Sequence, residues 1–306
     1  MPNATDIPPR WGHPMSTNFI EPTQDWLRPE RFAPLKVTPL MPNFGARIEG
    51  IDLTANLSAE TKAALKEAWL RFGVIFFEGQ QQLMPDRQLE VAAIFGEPDF
   101  GSHLVEKAGP QVDHLVTDDR RPPQTNLWHS DNTTLPEPSM GTMIQIQECP
   151  EIGGNTGWAC TRKAYSCLSD RMKAYVEDLV AVHYWDGRGN SESSYLQAWD
   201  EATYFDKIRK YPPKENPVVL THPITGTRAL YVNETYTRYI RGLHKYEGQA
   251  MLQFLYSWIR MPEFFLYHHW KANDIAVWDN FSMQHYALAD YRAYRLNQRV
   301  TFNALA

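Results

Sequence analysis

The chain has 306 residues, 43% of them hydrophobic and 22% charged, with a formal net charge of −6. That length allows one large domain or two small ones, and the apolar fraction suffices for a sizeable core. The acidic balance argues against a nucleic-acid partner, which would favour a basic stripe, and no apolar run of about 18 residues suggests a membrane span.

Three cysteines, Cys149, Cys160 and Cys167, have neither paired nor metal-type spacing and read as reduced thiols. No apolar leader opens the chain, so a soluble, cytoplasmic protein is expected. Aromatic residues are plentiful, with 10 Trp and 15 Tyr, which suits a fold enclosing a cavity but equally suits aromatic core packing.

Residues 1–34 are proline-rich (Pro8-Pro9, Pro14, Pro22, Pro29) and read as an extended N-terminal arm or a disordered segment. Residues 35–306 follow as one domain. Leu35 to Leu53 alternates like a hairpin. A helix comes next, capped by Ser58, with Leu65, Ala68, Trp69 and Phe72 on one face and Gly73 at its end. Val74 to Phe77 reads as a buried strand, and Pro85 to Phe95 as a second helix closed by Gly96. Gly101 to Thr125 is polar and loop-like.

Thr142 to Glu148 looks like a strand, and Gly153-Gly154-Asn155-Thr156 like a tight turn. Ala164 to Leu179 reads as a helical pair with Ser169 as an internal cap. Residues 184–216 are long, mixed and rich in Gly, Ser and aromatics, as a lid would be, although an ordered insertion fits equally well. Val218 to Val232 forms two strands about Thr225-Gly226-Thr227, and Glu247 to Arg260 is an amphipathic helix. Phe264 to Trp270, Asp274 to Trp278 and Arg299 to Asn303 are the closing strands. Many short strands with few helices favour a mainly β fold with flanking helices, a double-stranded β-helix or jelly roll.

The chemistry centres on Trp128-His129-Ser130-Asp131. In an extended segment His129 and Asp131 share a face, so an imidazole and a carboxylate are presented together. A lone His-X-Asp also occurs as an ordinary polar pair at a strand edge. A third ligand is available in His285, within Trp278 to Tyr286. Two His and one carboxylate on one face of an octahedron are the facial arrangement of non-haem Fe(II) oxygenases.

Arg295 and Arg299 lie ten and fourteen residues after His285. On a strand they share a face. A buried guanidinium without a partner costs several kcal/mol, and a dicarboxylate co-substrate is a natural match for its planar fork.

Several blocks in order then resemble the taurine dioxygenase and dichlorophenoxyacetate dioxygenase family of Fe(II), 2-oxoglutarate-dependent oxygenases. They are Trp128 to Asp131, Gly153 to Trp158, Thr221 to Gly226, Leu230 to Glu234, Asn273 to Asn280 and Gln284 to Tyr291. The resemblance spans residues from about 35 to the end. It implies that His129, Asp131 and His285 bind Fe(2+), and that Thr156 and Arg295 hold the distal carboxylate of 2-oxoglutarate. Arg299 would meet the substrate's anionic group or the near end of the co-substrate. With O2, the implied reaction hydroxylates a small anionic organic substrate (a sulfonate, sulfate ester or aryloxy-carboxylate) and yields succinate and CO2. The carboxylate Asp131 favours hydroxylation, because halogenating relatives carry a small residue there. The interval from His285 to Arg295 is one residue shorter than in typical relatives. Relatives also commonly form homo-oligomers.

Weaker candidates complete the reading. His103 falls where taurine dioxygenase contacts its substrate, or is a surface-loop histidine. Asn126 and Thr125 face the pocket or form a plain turn. His183, Tyr184, Trp185, Tyr195 and Trp199 line the substrate site or pack in the core. His268 and His269 are adjacent, face opposite sides, and read as structural. Desaturation at the same iron centre and a non-catalytic, carboxylate-binding jelly roll are the competing functions.

Overall fold

Two apolar faces on one short strand, Val74–Phe77, set the layering of the fold. Val74 and Phe76 pack with Trp158, Leu266 and Met283, whereas Ile75 and Phe77 pack with Leu65, Trp69 and Phe72 on the other side. All four side chains are fully buried, so the strand lies in a sheet covered on both faces. Each such side chain contributes about 1.5–3 kcal/mol through burial.

The structure, a computed structural model, describes residues 29–99, 112–120, 126–185 and 201–304. Strands β1 (Lys36–Pro39) and β2 (Ala46–Glu49) form the expected hairpin. Helix α1 (Ala59–Phe72) starts where Ser58 accepts a hydrogen bond from the Thr61 amide. It ends at Gly73, whose φ of 73° is one that glycine adopts without cost. Strand β3 (Val74–Phe77) and helix α2 (Pro85–Ala92) follow. The second helix stops three residues short of the predicted end, and Ile94 to Gly96 close it with turn-like backbone bonds.

The chain continues through β4 (Glu97–Pro98), β5 (Asp113–Thr117), β6 (Gly141–Glu148) and β7 (Thr156–Cys160). Helices α3 (Thr161–Ser166) and α4 (Asp170–Val176) form the predicted pair, with Ser169 capping the second. Then come β8 (Val180–His183), α5 (Glu201–Lys210), β9 (Lys214–Pro217), β10 (Val219–Thr221), β11 (Arg228–Leu230) and β12 (Thr237–Ile240). Helix α6 (Lys245–Ile259) precedes β13 (Phe265–His268), β14 (Ile275–Asp279), β15 (Met283–Ala287) and β16 (Arg295–Asn303).

The major sheet runs β1-β2-β3-β14-β6-β16-β4, with β5 also paired to β16. Facing it is a minor sheet, β13-β7-β15. Trp158, Cys160, Leu266 and Met283 of the minor sheet meet Val74, Phe76, Ile144, Ala276 and Trp278 of the major one. Helices α1 and α2 cover the outer face of the major sheet. Helices α3 and α6, with the two-stranded β10-β11 and three-stranded β12-β8-β9 sheets, cover the minor one. This is the mainly β, helix-flanked double-stranded β-helix that the sequence predicts.

Seven strands, β4, β5, β7, β8, β9, β12 and β15, fall outside the strands that the sequence predicts. β5 lies inside the stretch read as loop, and its burial is only partial, so alternation is weak there. β8 and β12 pair with each other just outside the predicted elements. β15 was hidden because Gln284 and His285, polar and central in the strand, are both buried.

The end of the proposed arm, Pro29–Phe32, is a short 3-10 helix docked on the domain. Phe32 is buried there, its ring 5.5 Å from that of Phe72. The rest of the arm lies outside the described residues, as do residues 186–200 of the proposed lid. The lid's remaining end is helix α5 and strand β9, the latter paired with β8.

Candidate metal centre

His129 and His285 form an antiparallel bridge. The His129 amide donates to the His285 carbonyl at 3.0 Å, and the His285 amide returns the bond at 2.8 Å. Directly opposed residues of an antiparallel pair project to the same face. The two imidazoles, 156 residues apart in sequence, are thereby set side by side with ring centroids 4.1 Å apart. On its other edge β15 pairs with β7, with His285 opposite Trp158. Asp131 follows after Ser130, whose hydroxyl donates to the Met283 carbonyl at 2.8 Å and ties the segment to β15 a second time.

One ligand atom from each of His129, Asp131 and His285 lies within 4.8 Å of the others. Asp131 Oδ1 is 3.8 Å from His129 Nε2 and 3.9 Å from His285 Nε2. His129 Nδ1 donates to the Leu127 carbonyl at 2.7 Å, which orients the ring with Nε2 towards Asp131. His285 Nδ1 is buried without a partner. Its ring is held instead by the bridge and by Trp278, 4.7 Å away. Burial and the neighbouring His129 push His285 down to about 3, so it is neutral and able to ligate. Burial works against ionisation of Asp131, but His285, Arg299, His129 and the Thr142 hydroxyl outweigh it and hold the carboxyl below its ordinary range. A donor set of two imidazoles and one carboxylate fits a divalent first-row ion with open positions.

A network absent from the sequence reading supports Asp131. Thr142 Oγ1 donates to Asp131 Oδ2 at 2.7 Å. Asn280 Nδ2 donates to Thr142 Oγ1 at 3.0 Å, and Asn280 Oδ1 accepts from the Asp131 amide and from Trp278 Nε1. Thr142 and Trp278 are register partners on β6 and β14, which is what brings this group together at Asp131.

The arginines divide. Arg295 is buried, with Nη1 donating to the Gly154 carbonyl at 2.8 Å and Nε to Asn297 Oδ1 at 3.1 Å. It makes no ion pair with a carboxylate among the described residues. It is tied to the glycine turn that leads into Thr156, which is also buried and accepts from Trp270 Nε1 at 2.9 Å. Arg299 already has a protein carboxylate: Nη2 donates to Asp113 Oδ2 at 3.0 Å. Nη1 lies 4.0 Å from Asp131 Oδ1, and Nε is buried without a partner. The expectation that both arginines await an external acid therefore describes Arg295 more fully than Arg299.

Of the weaker candidates, Asn126 is half-buried, three residues ahead of His129. His103, Thr125, Tyr195 and Trp199 lie outside the described residues. His183 is not a pocket residue: fully buried in β8, it bridges Thr133 and Thr237 through its two ring nitrogens at 2.9 and 3.0 Å. Tyr236, unremarked in the sequence, sits with its ring 6.5 Å from that of His129. His268 is buried and stacked on Phe76, while His269 meets Asn155, in keeping with structural roles.

The family model described as taurine catabolism dioxygenase TauD, TfdA family matches residues 36–301. An alkylsulfatase of Acinetobacter baylyi is 31% identical over 293 residues, covering 93% of this chain and 87% of that protein. An alpha-ketoglutarate-dependent sulfate ester dioxygenase of Pseudomonas putida is 32% identical over 279 residues, covering 87% and 89%. The crystal structure of a taurine dioxygenase from Burkholderia xenovorans superposes with a TM-score of 0.73 at 28% identity, covering 88% of this chain and 89% of that one.

Proposed function

The chain belongs to the taurine catabolism dioxygenase TauD, TfdA family, and from that premise we propose how this 2-oxoglutarate-dependent non-haem iron dioxygenase uses its own residues. His129, Asp131 and His285 hold the iron, and the observation that carries this is the convergence of their ligand atoms within 4.8 Å. Bound Fe(II), with 2-oxoglutarate and O2, supplies the oxidising chemistry that hydroxylates a C–H bond while 2-oxoglutarate becomes succinate and CO2.

Arg295 anchors the distal carboxylate of 2-oxoglutarate, and Thr156 lies beside it across the glycine turn. The support is a buried guanidinium with no carboxylate partner among the described residues and donors left to offer. Arg299 faces the anionic end of the substrate or the near end of the co-substrate through its unpartnered Nε. Asn126 and His103 are further substrate contacts on this reading. The substrate is a small organic anion. A sulfate ester comes first, because both curated relatives above are named for sulfate-ester chemistry, ahead of a sulfonate or aryloxy-carboxylate.

No helix among the described residues is long and apolar enough to cross a membrane. We read the protein as cytoplasmic and as a homo-oligomer. The test is succinate formation by the purified chain with Fe(II), 2-oxoglutarate and a panel of alkyl sulfate esters, sulfonates and aryloxy acids. Stimulation by one acid class is expected. If no acid stimulates 2-oxoglutarate consumption, the substrate assignment fails.

A further inference from the structure

We propose that Asp113 is a positioning residue that holds the Arg299 guanidinium off the metal-facing oxygen of Asp131. The inference rests on the metal assignment above. Asp131 presents its two oxygens to different partners. Oδ2 accepts from Thr142, and Oδ1 faces both imidazoles at 3.8 and 3.9 Å. Oδ1 is also the oxygen that lies 4.0 Å from Arg299 Nη1. A metal ion and a guanidinium thus share one candidate acceptor.

What keeps them apart is on β5. Asp113 and Arg299 are register partners of the β5–β16 pair, so their side chains share a face. Asp113 Oδ2 takes the Nη2 hydrogen bond at 3.0 Å. Both side chains are mostly buried, at 11% and 17% exposed, where a cation does not stay unpaired. With Asp113 neutral, the remaining carboxylate in ion-pair reach of Arg299 among the described residues is Asp131. Closing that gap would bring Nη1, now 4.0 Å away, into charge-assisted hydrogen-bond contact with Oδ1. The carboxylate would then be engaged before a metal arrives. Arg299 Nε has no partner while Asp113 holds Nη2, so the substrate role proposed for Arg299 is compatible with this one.

The experiment is a double-mutant cycle on the full chain, read by calorimetric titration with Co(II) and, anaerobically, with Fe(II). Asp113→Asn should weaken metal binding about tenfold or more, although Asp113 is not a ligand. In an Arg299→Gln background the same substitution should leave the affinity within about threefold, because the competing cation is gone. Asp113→Ser, measured alongside, should repeat the loss, and thermal melts of the metal-free variants keep misfolding apart from it. The inference is overturned if Asp113→Asn binds metal as tightly as wild type. It is equally overturned if the loss is undiminished in the Arg299→Gln background. A wild-type chain that binds neither metal would sink the metal assignment and this inference together, whereas a metal-binding wild type matched by Asp113→Asn sinks this inference alone.

Discussion

Thr142 Oγ1 donates a 2.7 Å hydrogen bond to Asp131 Oδ2, the carboxylate oxygen turned away from the two imidazoles. The bond fixes which oxygen is left for a metal. Thr142 is itself oriented by Asn280, which also receives the Asp131 amide. A carboxylate with one oxygen committed and its backbone pinned loses little freedom on ligating an ion, which is how outer partners tune a metal site.

Thr142→Val keeps the side-chain shape and deletes that donor. Metal affinity should fall by roughly 10-fold to 100-fold, with little change in fold. Titration of the metal-free protein with Co(II) measures it, and an unchanged affinity would show that Asp131 needs no such support.

Asp131→Ala separates an oxygenase from a carboxylate-binding module built on the same fold. The variant should lose both turnover and the visible charge-transfer band that Fe(II) with 2-oxoglutarate is expected to give anaerobically in wild type. A binding module would keep its affinity for the carboxylate ligand after the same change.

Arg295→Gln removes a buried cation whose protein partners are the Gly154 carbonyl and Asn297. Loss of charge-assisted bonds of about 1.5–3 kcal/mol should raise the KM for 2-oxoglutarate by up to roughly 100-fold, with a smaller effect on kcat. Arg295→Lys should restore only part of it, because an ammonium cannot reproduce the two-pronged contact. An unaltered KM in steady-state assays of succinate would move the distal carboxylate elsewhere.

Acid should destabilise the metal-free protein in a defined window. Burial, with the charges of Lys214 and Arg238, lowers His183 from 6.5 to about 3. Between those values the unfolded chain takes up a proton that the folded chain refuses, so stability falls as pH drops through 6.5 towards 3. At pH 5 the loss is at most about 2 kcal/mol for one such histidine, and His285 adds a loss of the same sign. His183→Gln should shrink the difference between urea midpoints at pH 7 and pH 5. An equal pH dependence in wild type and variant would refute a neutral buried His183.

Much of the molecule was legible along the chain. Ser58, the face Leu65-Ala68-Trp69-Phe72 and Gly73 mark α1 because caps and a 3.6-residue period are local properties, and the helix lies between them. The separation of His129 from Asp131 by one residue pointed to a shared face, and His285 was the third group singled out; the structure brings the three together within 4.8 Å. Strands β5 and β15 escaped notice for a physical reason. β15 carries Gln284 and His285 at buried positions, and β5 has no fully buried position, so neither shows the apolar alternation of a strand.

By itself the sequence determined the family motifs and the helices α1, α2, α3, α4 and α6, all of which depend on neighbours within a few residues. Tertiary structure decided that His129 lies directly opposite His285, that Thr142 and Asn280 brace Asp131, and that Asp113 rather than an outside acid is the first partner of Arg299. Those pairings join segments up to 186 residues apart. They follow from the register in which whole strands bury their apolar faces, and no local pattern carries that register.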